Sequence, residues 1–130
     1  MNKILYPELS KDVLDAFYEV CRGLEAGYAE KVYGKALAWE LRQLGHKVEE
    51  QMPLTVMYKG VDVGDFVPDL YVDDMMILEL KAVKDIEPEH IAQLINYLAA
   101  TNSKVGYVLN FGRHRCFERR LGPSALHDMR

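Results

Sequence analysis

The chain has 130 residues, 49% of them hydrophobic and 28% charged, with a formal net charge of -4. That is too apolar for a disordered chain, and long enough for one packed core but not two, so a single domain over residues 1–130 is expected. A negative balance excludes coating nucleic acid by charge alone, which needs clustered Lys and Arg, yet it leaves room for an acidic site that works through a bound cation.

In chain order, residues 7–24 carry Val13, Leu14, Phe17, Tyr18 and Cys21 at three-and-four spacing, which predicts a helix with Ser10 as its N-cap. A Gly-bounded turn from Gly23 to Gly27 leads to a second helix over 28–44, striped by Tyr33, Leu37, Leu41 and Leu44 and stopped by Gly45. Strands follow over 46–51, 54–59, 61–72 and 75–83, with hairpin turns at Lys59-Gly60 and Asp73-Asp74 that should make successive strands antiparallel neighbours. The alternation changes phase near Gly64, which predicts a bulge or bend.

Pro88, Ile91, Leu94, Ile95 and Leu98 predict a third helix over 88–100, ended by Asn102. Strands over 104–110 and 115–121 then pair across a turn at Gly112. A meander followed by a helical crossover should build a central mixed sheet, with helices on its faces. Cys21 and Cys116 lie far apart without metal-ligand spacing, so they are expected to be buried thiols. The N-terminus has no apolar targeting core and no apolar run approaches the roughly 20 residues of a membrane span, so a cytoplasmic protein is expected. Arg113, His114, Arg115, Arg119 and Arg120 could meet a phosphate backbone, or could simply decorate a solvated hairpin.

The segment 75–83 is apolar on both faces except at Glu79 and Lys81, which a period of two puts on one face. A three-residue loop from Asp73 to Met75 would set Asp69 directly across from Glu79, whereas a two-residue loop would offset them by one. Opposed carboxylates repel and need a cation. Lys81 could serve, leaving a buried ion pair with one extra acid of raised pKa. A bound Mg²⁺ also suits two carboxylates, and a neighbouring lysine can then steer a water or stabilise charge on a phosphate. In the second helix Glu30 extends the stripe of Tyr33 and Leu37, so it either points inward or complements the helix dipole. In the third, Gln93 and Tyr97 share a face, as an orienting pair or as ordinary boundary residues.

Together the motifs resemble the GxxExxY proteins, a branch of the PD-(D/E)XK nuclease superfamily, over residues 8–121. The naming motif appears as Gly27-Tyr28-Ala29-Glu30-Lys31-Val32-Tyr33, and the superfamily signature as Pro68-Asp69, nine residues, then Glu79-Leu80-Lys81. Gln93 and Tyr97 match a downstream Q-x-x-x-Y element, and Asn110-Phe111-Gly112 also looks familial. The resemblance implies an α/β fold, with a restriction-endonuclease-like three-layer core. It implies that Asp69, Glu79 and the Leu80 carbonyl bind Mg²⁺, or Mn²⁺ in its place, with Glu30 completing the site. Lys81 would position the attacking water, and Gln93 and Tyr97 would orient groups around it.

The implied activity is phosphodiester hydrolysis in DNA or RNA, by a homodimer if two small subunits embrace one substrate. The alternative is an inactive nuclease-fold module that binds nucleic acid or a protein partner. A metal-dependent hydrolase of nucleotides or other phosphate esters is a third reading.

Overall fold

The computed structural model describes residues 6–128; the N-terminal stretch inspected above for a targeting signal falls almost wholly outside them. Two helices come first, α1 (Pro7–Gly23) and α2 (Glu30–Gln43). The three-and-four spacing of α1 buries Leu9, Val13, Ala16, Phe17 and Val20 on one side. Its start differs from the expectation at Ser10. Pro7 opens the helix and Tyr6 stands at the N-cap in a left-handed conformation without a side-chain bond, while Ser10 is buried inside the first turn. Proline's fixed φ suits the first helical position, where its missing N–H costs nothing. In α2 the buried stripe is Tyr33, Leu37 and Leu41; Leu44 lies just past the helix and is exposed.

Five strands follow: β1 (Val48–Glu50), β2 (Leu54–Tyr58), β3 (Val61–Phe66), β4 (Leu70–Val72) and β5 (Met76–Lys81). After them come α3 (Pro88–Ala100), β6 (Val105–Asn110), β7 (Cys116–Leu121) and a short α4 (Pro123–Asp128) that the sequence pattern did not indicate. The strand expected over 61–72 is in fact two strands in different sheets, β3 and β4. Pro68 lies in the break between them and cannot donate to a ladder.

Strands β2 and β3 form a separate hairpin. Lys59 and Gly60, with φ of 50° and 80°, make its two-residue turn. The pairing shifts between Val56, opposite Gly64, and Met57, opposite Asp62, which is the expected bulge. Because the hairpin leaves the main sheet, successive strands are not all neighbours: β1 pairs with β4 instead of β2. The main sheet has the order β1-β4-β5-β6-β7 and is mixed, with β5 and β6 parallel across the α3 crossover and every other pair antiparallel.

Three layers result. One face of the sheet buries Leu70, Leu78, Leu80, Tyr107 and Leu109 against α1 and α2. The other buries Ile77 and Val108 against Leu94 and Leu98 of α3 and Phe66 of the hairpin. Ile95, expected in the stripe of α3, is exposed instead. Cys21 and Cys116 are free thiols, half-buried where full burial was expected. No helix among the described residues is long and apolar enough to cross a membrane.

Candidate active site

The centre of the sheet places the acids. β4 and β5 pair from Val72 opposite Met76 to Leu70 opposite Leu78, so the loop between them is the three-residue one and the next step sets Asp69 across from Glu79. Asp73 and Asp74 both take left-handed φ, 53° and 57°, to make that loop. Since β4 begins only at Leu70, the edge of β5 beyond Leu78 has no strand beside it. The Asp69 carboxylate takes over as acceptor there: the Leu80 N–H donates to Asp69 Oδ2 at 2.7 Å. A strand residue directs its N–H and C=O to the same edge. The Leu80 carbonyl therefore faces this open edge as well.

Glu79 is largely buried, and its Oε1 has no hydrogen-bond partner. Burial pushes its carboxyl up to about 8, and the negative charges of Asp69 and Glu30 push the same way, while Lys81 and the Asp69 peptide N–H pull back more weakly. Lys81 offsets only part of the paired negative charge, so a raised acid is what either reading of these residues expects, an ion pair with one extra carboxyl or two carboxylates that share a cation.

The Gly27–Tyr33 motif explains how Glu30 arrives at this place. Gly27 turns the chain with φ of 118°, a region open to glycine. The buried Tyr33 hydroxyl accepts from the Tyr28 N–H at 3.1 Å and donates to the Glu25 carbonyl at 2.5 Å, and its ring stacks on Phe111 at 4.8 Å. This clamp holds the loop so that α2 begins at Glu30. One turn on, Gly34 lets the helix approach β5: a Cβ there would lie 3.2 Å from Leu80 Cδ1. Glu30 does not point into the core as an extension of the buried stripe. It is exposed, and with Gly34 it lines a cavity of about 590 Å³ together with Asp69, Leu70 and Leu80.

Glu79 and Lys81 are not part of that cavity's lining; along β5 they alternate with Leu80, which is. The lining does include Lys31, Lys35, Glu50 and Gln51, which sequence reasoning missed. Lys31 and Lys35 are four apart on α2, a spacing that was readable. Gln51 takes a left-handed φ of 55° and donates its N–H to the Asp69 carbonyl, for which the sequence offers no signal.

Gln93 and Tyr97 do share a face: Gln93 Nε2 donates to the Tyr97 hydroxyl at 3.1 Å, and the Tyr97 ring stacks on Phe66 at 3.6 Å. Neither lines the cavity. The basic stretch near the C-terminus is partly committed elsewhere. Arg115 donates to the carbonyls of Cys21 and Leu24, His114 meets Asp85, and Arg120 pairs with Glu118. Asn110 ties down the chain after Lys81, its Oδ1 accepting from the Val83 and Gly112 N–H groups and its Nδ2 donating to the Val83 and His114 carbonyls.

The residues fit a hard divalent cation. Two opposed carboxylates, one with a buried oxygen that lacks a partner, and a carbonyl at an open edge form an all-oxygen donor set, the kind Mg²⁺ takes with several waters retained. They are not a preformed cage: among the described residues no three His, Cys, Asp or Glu side chains gather closely enough to hold an ion by themselves.

A mixed five-stranded sheet between helices, with an acid, an acid and a lysine where its central strand loses a neighbour, defines a restriction-endonuclease-like domain. The chain belongs to the PD-(D/E)XK nuclease superfamily, whose family model matches residues 7–120. Its fold is similar to the crystal structure of an alkaline exonuclease from Laribacter hongkongensis, with a TM-score of 0.53 at 16% identity, covering 99% of this chain and 76% of that one. No curated protein matches the sequence.

Proposed function

We propose that this protein is a Mg²⁺-dependent nuclease of the GxxExxY branch, hydrolysing phosphodiester bonds in DNA or RNA, with Mn²⁺ able to replace Mg²⁺. The observation that carries the reading is the open edge of β5, where Asp69 faces Glu79 and accepts from the Leu80 N–H while one buried oxygen of Glu79 has no partner. Asp69, Glu79 and the Leu80 carbonyl would hold the ion, and Glu30 would complete its surroundings. When bound, the cation polarises the scissile phosphate and lowers the pKa of its water.

Lys81 projects from the same face as Glu79 and supplies a positive charge that orients the attacking water or offsets charge on the phosphate. Lys31 and Lys35 hold positive charge at the cavity rim and would retain the substrate backbone. Gln93 and Tyr97, bonded to each other, would orient groups from the α3 side. A protein of this kind acts on nucleic acid away from any membrane, in the cytoplasm, and as a homodimer gains the surface to grip its substrate.

Calorimetric titration with Mg²⁺ and Mn²⁺ should show binding by the wild type and none by Glu79→Ala. Incubation with labelled single- and double-stranded DNA and RNA should show cleavage that Lys81→Ala reduces at least 100-fold, the scale at which a positioned group contributes. Equal cleavage by both proteins would remove this site from the reaction. The competing reading, a binding module that has kept the fold, draws on the lack of a preformed three-acid cage; wild type that binds neither metal would favour it.

A further inference from the structure

A second cavity, of about 460 Å³, is lined by Ala26, Gly27, Tyr28, Ala82, Val83, Lys84, Gly112 and Arg113. The first cavity is reached along the same two chain segments. Tyr28 stands two residues before Glu30, and Ala82 two residues after Leu80, so at strand rise Leu80 and Val83 are at most about 10 Å apart. Tyr28 is 50% exposed: its peptide N–H is tied to the Tyr33 hydroxyl and its ring meets the Tyr33 ring edge-to-face at 6.0 Å, so the ring is held in place with about half its surface open. Lys84 and Arg113 are exposed, and neither pairs with a carboxylate among the described residues. The nearby Asp85 is taken by His114. Ala26, Gly27, Ala82 and Gly112 in the lining have small side chains or none, which leaves the space open.

An exposed aromatic ring beside two free cations has the chemistry of a nucleotide site: the ring takes the flat face of a base, and the cations take its phosphates. A base inside a duplex already has both faces covered by its neighbours, so away from duplex ends the ring can be used only by an unpaired one. Building on the nuclease reading above, we infer that this second cavity binds an unpaired nucleotide next to the scissile phosphate, its base on Tyr28 and its phosphate between Lys84 and Arg113. The substrate strand enters the reaction single-stranded.

Fluorescence anisotropy in a chelator, where no cleavage occurs, tests this with a labelled single-stranded oligonucleotide and the matching blunt duplex. Tyr28→Ala should weaken single-strand binding about tenfold or more, Tyr28→Phe should not, and duplex binding should be the same for all three proteins. Lys84→Ala with Arg113→Ala should lower the salt slope of single-strand binding by about 0.7, for the one phosphate they share. Single-strand affinity unchanged in Tyr28→Ala, or a salt slope unchanged in the double variant, would overturn the inference. So would an equal loss on duplex. A wild type that cleaves with Mg²⁺ while Tyr28→Ala behaves identically sinks this site and leaves the nuclease standing. A wild type that cleaves nothing yet binds single strands through Tyr28 does the reverse.

Discussion

In the metal-free protein at neutral pH, Glu79 keeps its proton, because its carboxyl is pushed up to about 8 by burial and by Asp69 and Glu30. The unfolded chain releases that proton near 4.5, so the folded state binds more protons between 4.5 and 8 and stability must fall as pH rises across that window. Glu79→Gln replaces the acid by a neutral group of the same shape. In chelator at pH 8.5 its urea midpoint should exceed that of the wild type by the equivalent of a few kcal/mol, and the two should converge near pH 4.5. The same variant should bind no Mg²⁺. A variant less stable than wild type at pH 8.5 would mean that Lys81 stabilises the carboxylate after all. That Glu79 and Lys81 were unusual could be read from the sequence, since two charges interrupt an otherwise apolar strand. That one carboxylate oxygen lacks a partner could not, because it depends on where β4 stops.

Two short motifs act at the scale of elements, and in them Tyr33 and the Asn110-Phe111-Gly112 run hold backbone in place. Tyr33 fixes the loop before α2 through one accepted and one donated hydrogen bond. Tyr33→Phe should cost about 1 kcal/mol in thermal or urea unfolding, since a part-buried N–H and a carbonyl lose their partner. Amide exchange over residues 24–29 should rise, and metal affinity should fall less than in Glu79→Ala. Asn110-Phe111-Gly112 closes the end of β5: Phe111 N–H donates to the Lys81 carbonyl at 2.8 Å, and a Cβ on Gly112 would stand 1.9 Å from the Val83 carbonyl. Gly112→Ala must therefore push apart two backbones. A loss of about 3 kcal/mol or more is expected, with a lower melting temperature and less cleavage as the chain beyond Lys81 shifts. A melting temperature equal to the wild type would show that this contact is loose. Gly27 and Glu30 with Tyr33 were legible as a motif; the reason for the spacing, a hydroxyl reaching back five and eight residues, became visible only with the loop folded.

Across the whole molecule, His46 joins α1 to the loop that sets the register of Asp69 and Glu79. Its Nε2 meets Asp12 Oδ2 at 2.7 Å and its Nδ1 meets Asp73 Oδ2 at 2.6 Å. Burial alone would lower its pKa, but hydrogen bonds and charge from the two carboxylates outweigh it and leave it raised above 6.5. A raised histidine contributes stability that is complete below the unfolded value of 6.5 and is lost as pH climbs through the folded one. The unfolding midpoint should therefore drop as pH rises past 6.5, and His46→Gln should flatten that part of the profile. An NMR titration placing His46 at or below 6.5 would count against this tie.

Helices were nearly complete in the sequence, because their signals are local. The apolar spacing of Val13 and Phe17, or of Leu94 and Leu98, and the prolines at 7 and 88 all act within a few residues. The three-residue loop after Val72 was equally readable as one of two lengths. Tertiary structure chose between them, and it alone moved the β2–β3 hairpin out of the main sheet, brought β1 beside β4, and left Ile95 and Leu44 in solvent. Strand partners are selected by hydrogen bonds and packing between residues distant in the chain. The open edge at Leu80 follows from that selection, and with it the place where the carboxylates meet.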